Sequence, residues 1–175
     1  ALVSRLVLDE GNDVVIENPH YFGMRESLQA HGANLLPVSV DRDGLVTDHL
    51  PVGSPRLVCV TPSHQFPSGA VLSEARRQAL LDYARARNAW VYEDDYDGEF
   101  RFGRPPLPAL QSIDSDGRVF YVGTFSKVMF PSLRLAYVVP PPALREDLIR
   151  AKWLHDFGAP TIEQVALANF LANGG

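Results

Sequence analysis

The sequence predicts an α/β domain of three layers, with helices on both faces of a mostly parallel central sheet. Two observations predict it. Short, nearly all-apolar runs such as Asp13-Val-Val-Ile-Glu17 and Arg56-Leu-Val-Cys-Val-Thr61 suit strands covered on both faces, as parallel strands are. These runs alternate with stretches of helical spacing of roughly 10–15 residues, the pattern of βαβ units. Composition agrees with a packed core. Of 175 residues, 46% are hydrophobic and 21% charged, which excludes a disordered or fibrous chain. A chain this long is expected to form one domain and to bury roughly 70% of its unfolded surface.

The elements follow in order. Leu2, Val3, Leu6 and Val7 recur at helical spacing, and Gly11-Asn12 ends that helix. Asp13–Glu17 is a buried strand closed by Pro19. Tyr21–His31 is helical through Met24 and Leu28, with Gly32 placed to end it in a left-handed conformation. Asn34–Val40 is a strand, Asp41-Arg-Asp-Gly44 a turn, and Arg56–Thr61 a third strand. Ser73 stands at the N-cap of a helix whose apolar face runs through Ala75, Ala79, Leu80, Tyr83 and Ala84 to Asn88. Ala89–Glu93 is a fourth strand. An irregular stretch with Pro105, Pro106 and Pro108 follows. Arg118–Gly123 and Leu133–Val139 are strands, and Pro140-Pro141-Pro142 is a sharp stop. Helices Ala143 to about Asp156 and Thr161 to about Ala172 complete the chain.

Several function classes are disfavoured. The net charge of −5 supplies no basic patch with which this segment could grip nucleic acid. The single cysteine, Cys59, cannot form an internal disulfide, so a reducing compartment, the cytoplasm, is expected. No apolar run approaches the ~20 residues that span a bilayer. Ala1 already lies inside an apolar helical pattern and Gly175 directly follows another, so an excised piece of a longer chain is expected.

In sheets of this kind ligands bind beyond the carboxyl ends of the strands, which selects three segments. In Gly123-Thr-Phe-Ser-Lys127, Lys127 reads either as a surface lysine in a polar turn or as an amine able to form a Schiff base with an aldehyde. In the second case Thr124 and Ser126 offer hydroxyls to a phosphate. Val128 after the lysine excludes a Walker loop. Glu93-Asp-Asp-Tyr-Asp97 reads as a solvated acidic loop, as a divalent-cation site, or as a source of one carboxylate that stays ionised against a protonated pyridine nitrogen, as pyridoxal phosphate needs. Tyr96 could then donate to that cofactor's phenolic oxygen. Thr61-Pro-Ser-His-Gln-Phe-Pro-Ser-Gly69 is a turn-rich connection that places His64 and Gln65 where a ligand would lie. No Gly-x-Ser-x-Gly elbow is present, which disfavours a serine hydrolase. Cys59 reads as inert core. Arg134, seven residues after Lys127, is either exposed or a bidentate phosphate partner.

These segments carry a resemblance. Thr61–Gly69, Glu93-Asp-Asp-Tyr-Asp-Gly-Glu-Phe100, Val122–Lys127 and Pro131-Ser-Leu-Arg134 occur in the order seen in the large domain of fold-type I pyridoxal-phosphate enzymes, the aspartate aminotransferase superfamily. More closely, the chain resembles the aminotransferase-like domain of MocR-type regulators in the GntR family, bacterial transcription factors with an N-terminal winged-helix domain. Asp13-Val-Val-Ile-Glu-Asn-Pro-His-Tyr21 and Arg104-Pro-Pro-Leu-Pro-Ala-Leu-Gln111 add to the match, which covers essentially the whole chain.

The resemblance implies roles. Lys127 forms the internal aldimine, Asp94 pairs with the pyridine nitrogen and Tyr96 holds the phenolic oxygen. Thr124, Ser126 and Arg134 bind the phosphate, and Tyr21 stacks on the cofactor ring. Where aminotransferases commonly carry Asn-Pro-x-Gly this chain has Phe66-Pro67-Ser68-Gly69, so His64 or Gln65 is expected to take over the polar contact of the asparagine. Residues 1–140 are expected to be the large domain, truncated at its N-terminal edge. Residues 141–175 would be helices leading toward a C-terminal small domain beyond Gly175. The expected function is an effector-sensing domain of a bacterial transcriptional regulator. It would respond to a small amino compound, act as a homodimer in the intact protein, and reach DNA only through a winged-helix domain outside this chain. The alternatives are a true class I/II aminotransferase acting on an amino acid and a 2-oxo acid, and a cofactor-free interaction domain. The piece alone is expected to hold cofactor weakly or not at all.

Overall fold

A computed structural model describes residues 1–98, 100 and 107–174. Glu99, Arg104, Pro105 and Pro106 of the motifs above lie outside the described residues.

The chain enters through α1 (Leu2–Val7) and β1 (Asp13–Asn18), then α2 (Phe22–Ala30) and β2 (Asn34–Asp41). Gly32 has φ +74°, a left-handed conformation that glycine adopts without strain. A two-residue strand, β3 (Gly44–Leu45), folds back on β2, so the Asp41–Gly44 turn is a hairpin end. Then come β4 (Leu57–Val60), α3 (Glu74–Arg87), β5 (Trp90–Asp95), α4 (Leu110–Ile113), β6 (Val119–Thr124), β7 (Ala136–Val139), α5 (Arg145–Asp156) and α6 (Thr161–Ala172).

The sheet order is β3-β2-β1-β4-β5-β6-β7. The inner pairs are parallel, and only the edge strands β3 and β7 run antiparallel. The apolar residues of each strand divide between two cores. Val15, Val58, Val60, Val91 and Val119 meet Leu80, Leu81 and Ala84 of α3 on one face. Val14, Ile16, Leu57, Cys59 and Phe120 meet Val3 and Val7 of α1 and Leu28 of α2 on the other. This is the three-layer arrangement that the alternation of runs predicts. Cys59 is buried mid-strand, and burial pushes its thiol far up, which leaves it without thiolate chemistry.

Three details differ from the sequence reading. Ser73 stands at the N-cap of α3, but its hydroxyl makes no capping bond; its carbonyl accepts Arg77 N at 2.9 Å. Helix α4 has only four residues, too few to show a period. Its N-terminus is held instead by the buried Glu93 carboxylate, which accepts Leu110 N at 2.8 Å and Gln111 N at 2.9 Å. The strand expected from Leu133 begins at Ala136. Pro131–Leu133 is a 3-10 turn, and Arg134 has φ +53°, which breaks the extended run. Among the described residues no helix is long and apolar enough to cross a membrane.

Candidate active site at four strand ends

Strand order reverses direction between β1 and β4: the chain steps from β1 to β2 on one side and returns to β4 on the other. Open α/β sheets bind ligands at this point, beyond the carboxyl ends of the strands. A cavity of about 470 Å³ lies there, lined by Tyr21, Thr61, Phe66, Asp94, Tyr96, Thr124 and Lys127. Tyr21 follows β1, Thr61 and Phe66 follow β4, Asp94 and Tyr96 come from the end of β5, and Thr124 and Lys127 from the end of β6. Residues distant in sequence converge because four neighbouring parallel strands all end on one side.

The acidic run on β5 is divided by the pleat. Glu93 and Asp95 are buried on one face, Glu93 against α4 and Asp95 against Tyr121, whose hydroxyl donates to it at 2.7 Å. Asp94 turns to the opposite face and lines the cavity. The carboxylates therefore do not cluster, and among the described residues no group of His, Cys, Asp and Glu could hold a metal ion.

Burial raises the Asp94 carboxyl from its ordinary 3.8 to about 6; Asp95, Glu17 and Asp97 push the same way, and His20 opposes. A carboxyl raised in the folded state binds protons that the unfolded chain has released, so stability falls as pH rises from about 4 to about 6 and stays lower above. Asp94→Asn removes that penalty. In the cofactor-free protein it is expected to add up to about 3 kcal/mol at about pH 8, and nothing below about pH 4, as urea denaturation at the two pH values would show.

Tyr96 is pushed up to about 12, by burial first and then by Asp97 and Asp94, so its phenol keeps its proton. That hydroxyl donates to the His64 carbonyl at 3.0 Å. Tyr21 stands edge-on to Phe66, with ring centroids 5.9 Å apart, and the two rings form an aromatic wall. Lys127 is exposed at the end of the β6 loop. The chain has two lysines, Lys127 and Lys152. Lys152 lies on α5 and pairs with Asp156 of the same helix, so Lys127 is the one lysine of the chain at this cavity.

The β6 loop is pinned from behind. Leu135 O accepts Phe125 N at 3.1 Å and Thr124 Oγ1 at 3.4 Å, and Thr124 Oγ1 accepts Ser126 N at 3.1 Å. Gly123 is needed there, since a Cβ would run into the Tyr137 ring. Ser126 and Arg134 flank the loop without lining the cavity, and Arg134 is exposed. His64 and Gln65 do not line it either. His64 Nδ1 pairs with Asp97 Oδ2 at 2.6 Å and its ring stacks over Tyr96 at 6.4 Å. Gln65 is 1% exposed, and its amide donates to the carbonyls of Pro19 and Phe66, each at 2.7 Å. Both side chains brace the loop, and Phe66 itself faces the cavity.

Glu17, absent from the sequence-derived candidates, organises the floor. It is 2% exposed and accepts Thr61 Oγ1 at 2.6 Å, Thr61 N at 3.2 Å and Gln65 Nε2 at 3.3 Å. A carboxylate ending the apolar run Val14-Val15-Ile16 was the available signal, as at Asp94.

The donor set is a primary amine, a phenol, a carboxylate and aromatic walls around one cavity. Residues 1–173 match the family model of aminotransferase class I and II. The chain belongs to this family. Among relatives, the probable rhizopine catabolism regulatory protein MocR of Rhizobium meliloti is 41% identical over 99% of this chain and 35% of its own length. The uncharacterized HTH-type transcriptional regulator YhdI of Bacillus subtilis is 40% identical over 97% of this chain and 36% of its own. The likeness to MocR-type regulators read from the motifs is thus present along the chain. Among solved aminotransferases, LysN, the alpha-aminoadipate aminotransferase of Thermus thermophilus complexed with N-(5'-phosphopyridoxyl)-L-leucine, is 33% identical with TM-score 0.92. The match covers 99% of this chain and 46% of that one. The chain spans between a third and a half of the length of these relatives.

Proposed function

We propose that this chain is the pyridoxal-phosphate-binding, aminotransferase-like part of a cytoplasmic transcriptional regulator. One observation supports the cofactor above all: an amine, Lys127, and an acid–phenol pair, Asp94 and Tyr96, share one cavity beyond four strand ends. When bound, pyridoxal phosphate supplies an aldehyde that condenses with amines and a ring that takes up electrons. Lys127 would hold the aldehyde carbon covalently. Asp94 would face the ring nitrogen and Tyr96 would donate to the phenolic oxygen. Tyr21 would cover one face, and Thr124, Ser126 and Arg134 would take the phosphate, with Arg134 swinging in from its exposed position. A small amino compound would compete with Lys127 for the same carbon and so act as effector.

The regulators at about 40% identity favour this reading over a metabolic aminotransferase. Residues 1–140 would form the large domain and residues 141–175 lead toward a smaller one. DNA contact would come from a domain outside this chain, in a homodimer. The test compares the intact protein with and without pyridoxal phosphate for affinity to a duplex from its own upstream region, and for transamination of amino donors with 2-oxo acids. The expected result is a cofactor-dependent change in DNA affinity of about 5–150-fold, typical of coupling between sites, with little turnover. Efficient turnover without DNA binding would establish the enzyme reading instead.

A further inference from the structure

We infer that the Tyr96 hydroxyl is a two-position tie: in the empty site it fastens the His64 corner of the Thr61–Gly69 loop to the end of β5, and bound cofactor draws it off that corner. The inference rests on the reading of Tyr96 as donor to the cofactor's phenolic oxygen, and it names how that same site is regulated.

A phenol has one proton to donate. In the empty site that proton is already committed, because the Tyr96 hydroxyl donates to the His64 carbonyl at 3.0 Å. The Asp97 carboxylate draws on the same hydroxyl, and its Oδ2 lies 2.6 Å from His64 Nδ1. The rings of His64 and Tyr96 are nearly parallel, 17° apart in orientation with centroids 6.4 Å apart. Both acceptors therefore belong to one corner, formed by His64 and the residues just past β5. Tyr96 also lines the cavity, so a ligand there meets the ring that carries this proton.

The rest of the loop is held by other means. Thr61 Oγ1 donates to Glu17 at 2.6 Å, and Arg77 donates to the Pro62 carbonyl at 2.8 Å. The Gln65 amide donates to the Pro19 carbonyl at 2.7 Å, and Gln65 N to Ala70 O at 2.8 Å. Ser63 and His64 lie between these anchors, and the bonds described at that corner come from Tyr96 and Asp97. The His64 side chain is 52% exposed, so the corner reaches the surface.

A hydrogen bond to an ionised oxygen is stronger than one to a neutral carbonyl. An ionised phenolic oxygen therefore takes the Tyr96 proton in preference to His64 O. A ligand shifts a conformation only through contacts that differ between the two states. Here the differing contact is one hydroxyl with two places to donate. Its departure loosens the His64 corner and leaves the anchored ends of the loop in place, which carries the state of the cavity to the surface.

The test is NMR of the intact protein, wild type and Tyr96→Phe, each empty and saturated with pyridoxal phosphate. Carbonyl-13C histidine with 15N glutamine selects the one His-Gln pair of this chain, His64-Gln65. In the empty proteins the His64 carbonyl carbon is expected to move upfield in Tyr96→Phe, where it has lost its donor. In the loaded proteins the two resonances are expected to coincide, because the wild-type hydroxyl has left the corner. Comparing the two proteins in the same state cancels the ring-current effect of the cofactor itself. Equal shifts in the empty proteins, or a difference that survives loading undiminished, would overturn the inference. Visible absorbance reports loading separately: a wild type that takes up no cofactor refutes the cofactor reading and the tie with it, whereas a loaded protein that gives either contrary result refutes the tie alone.

Discussion

Lys127→Ala is expected to abolish the visible absorbance of pyridoxal phosphate bound to the intact protein and to weaken its retention about a hundredfold or more, roughly 2.7 kcal/mol. The size of the effect follows from what is lost. Asp94, Tyr96 and the aromatic wall of Tyr21 and Phe66 remain, and these groups bind without a covalent bond. Lys152→Ala is the internal control. Its amine is on α5 and engaged with Asp156, so this variant should keep full absorbance. An absorbance that survives Lys127→Ala would remove this lysine from the site. Loss in Lys152→Ala would mean that the cavity is not where cofactor binds.

Arg77→Met is expected to be the most destabilising of the substitutions discussed. Arg77 lies on α3 and is 1% exposed, an unusual place for a charge. Its guanidinium donates to the carbonyls of Leu72 at 2.9 Å, Pro62 at 2.8 Å and Pro108 at 2.8 Å. It thereby clamps the Thr61–Gly69 loop and the entry to α4 onto one helix. Its charge also offsets burial at Glu93, which otherwise drives that carboxyl upward. Methionine fills the stem but leaves three carbonyls without these donors and a buried carboxylate without its cation. Removing one member of such a set costs about 3–5 kcal/mol, a fall of roughly 6–20 °C in Tm for a chain of this size. A change under about 1 kcal/mol would show that water or nearby donors replace the clamp.

The fold was largely legible because the apolar runs were short, dense and separated by helical periods. Val14–Ile16, Leu57–Val60 and Val91 are buried on both faces, and nothing else in the sequence competes for those positions. The cavity residues were legible for a related reason. Tyr21, Asp94, Tyr96, Thr124 and Lys127 all stand just at or beyond strand ends, and parallel topology brings strand ends together. What was not legible depended on pairings between distant residues. No local signal assigns the Gln65 amide to the Pro19 carbonyl or His64 to Asp97, so the part both play in bracing the loop could not be read from the sequence. The four-residue α4 exists because Glu93 caps it from another strand. The left-handed Arg134, which delays β7, likewise has no signature of its own.

Borohydride reduction of the intact protein loaded with pyridoxal phosphate, followed by peptide mapping, tests the central claim most directly, because it fixes the covalent partner in place. A pyridoxyl-phosphate mass on the peptide carrying Lys127, and none on the peptide carrying Lys152, is the result expected here. A label on Lys152, on a lysine outside this chain, or on no lysine would contradict the assignment of this cavity as the cofactor site.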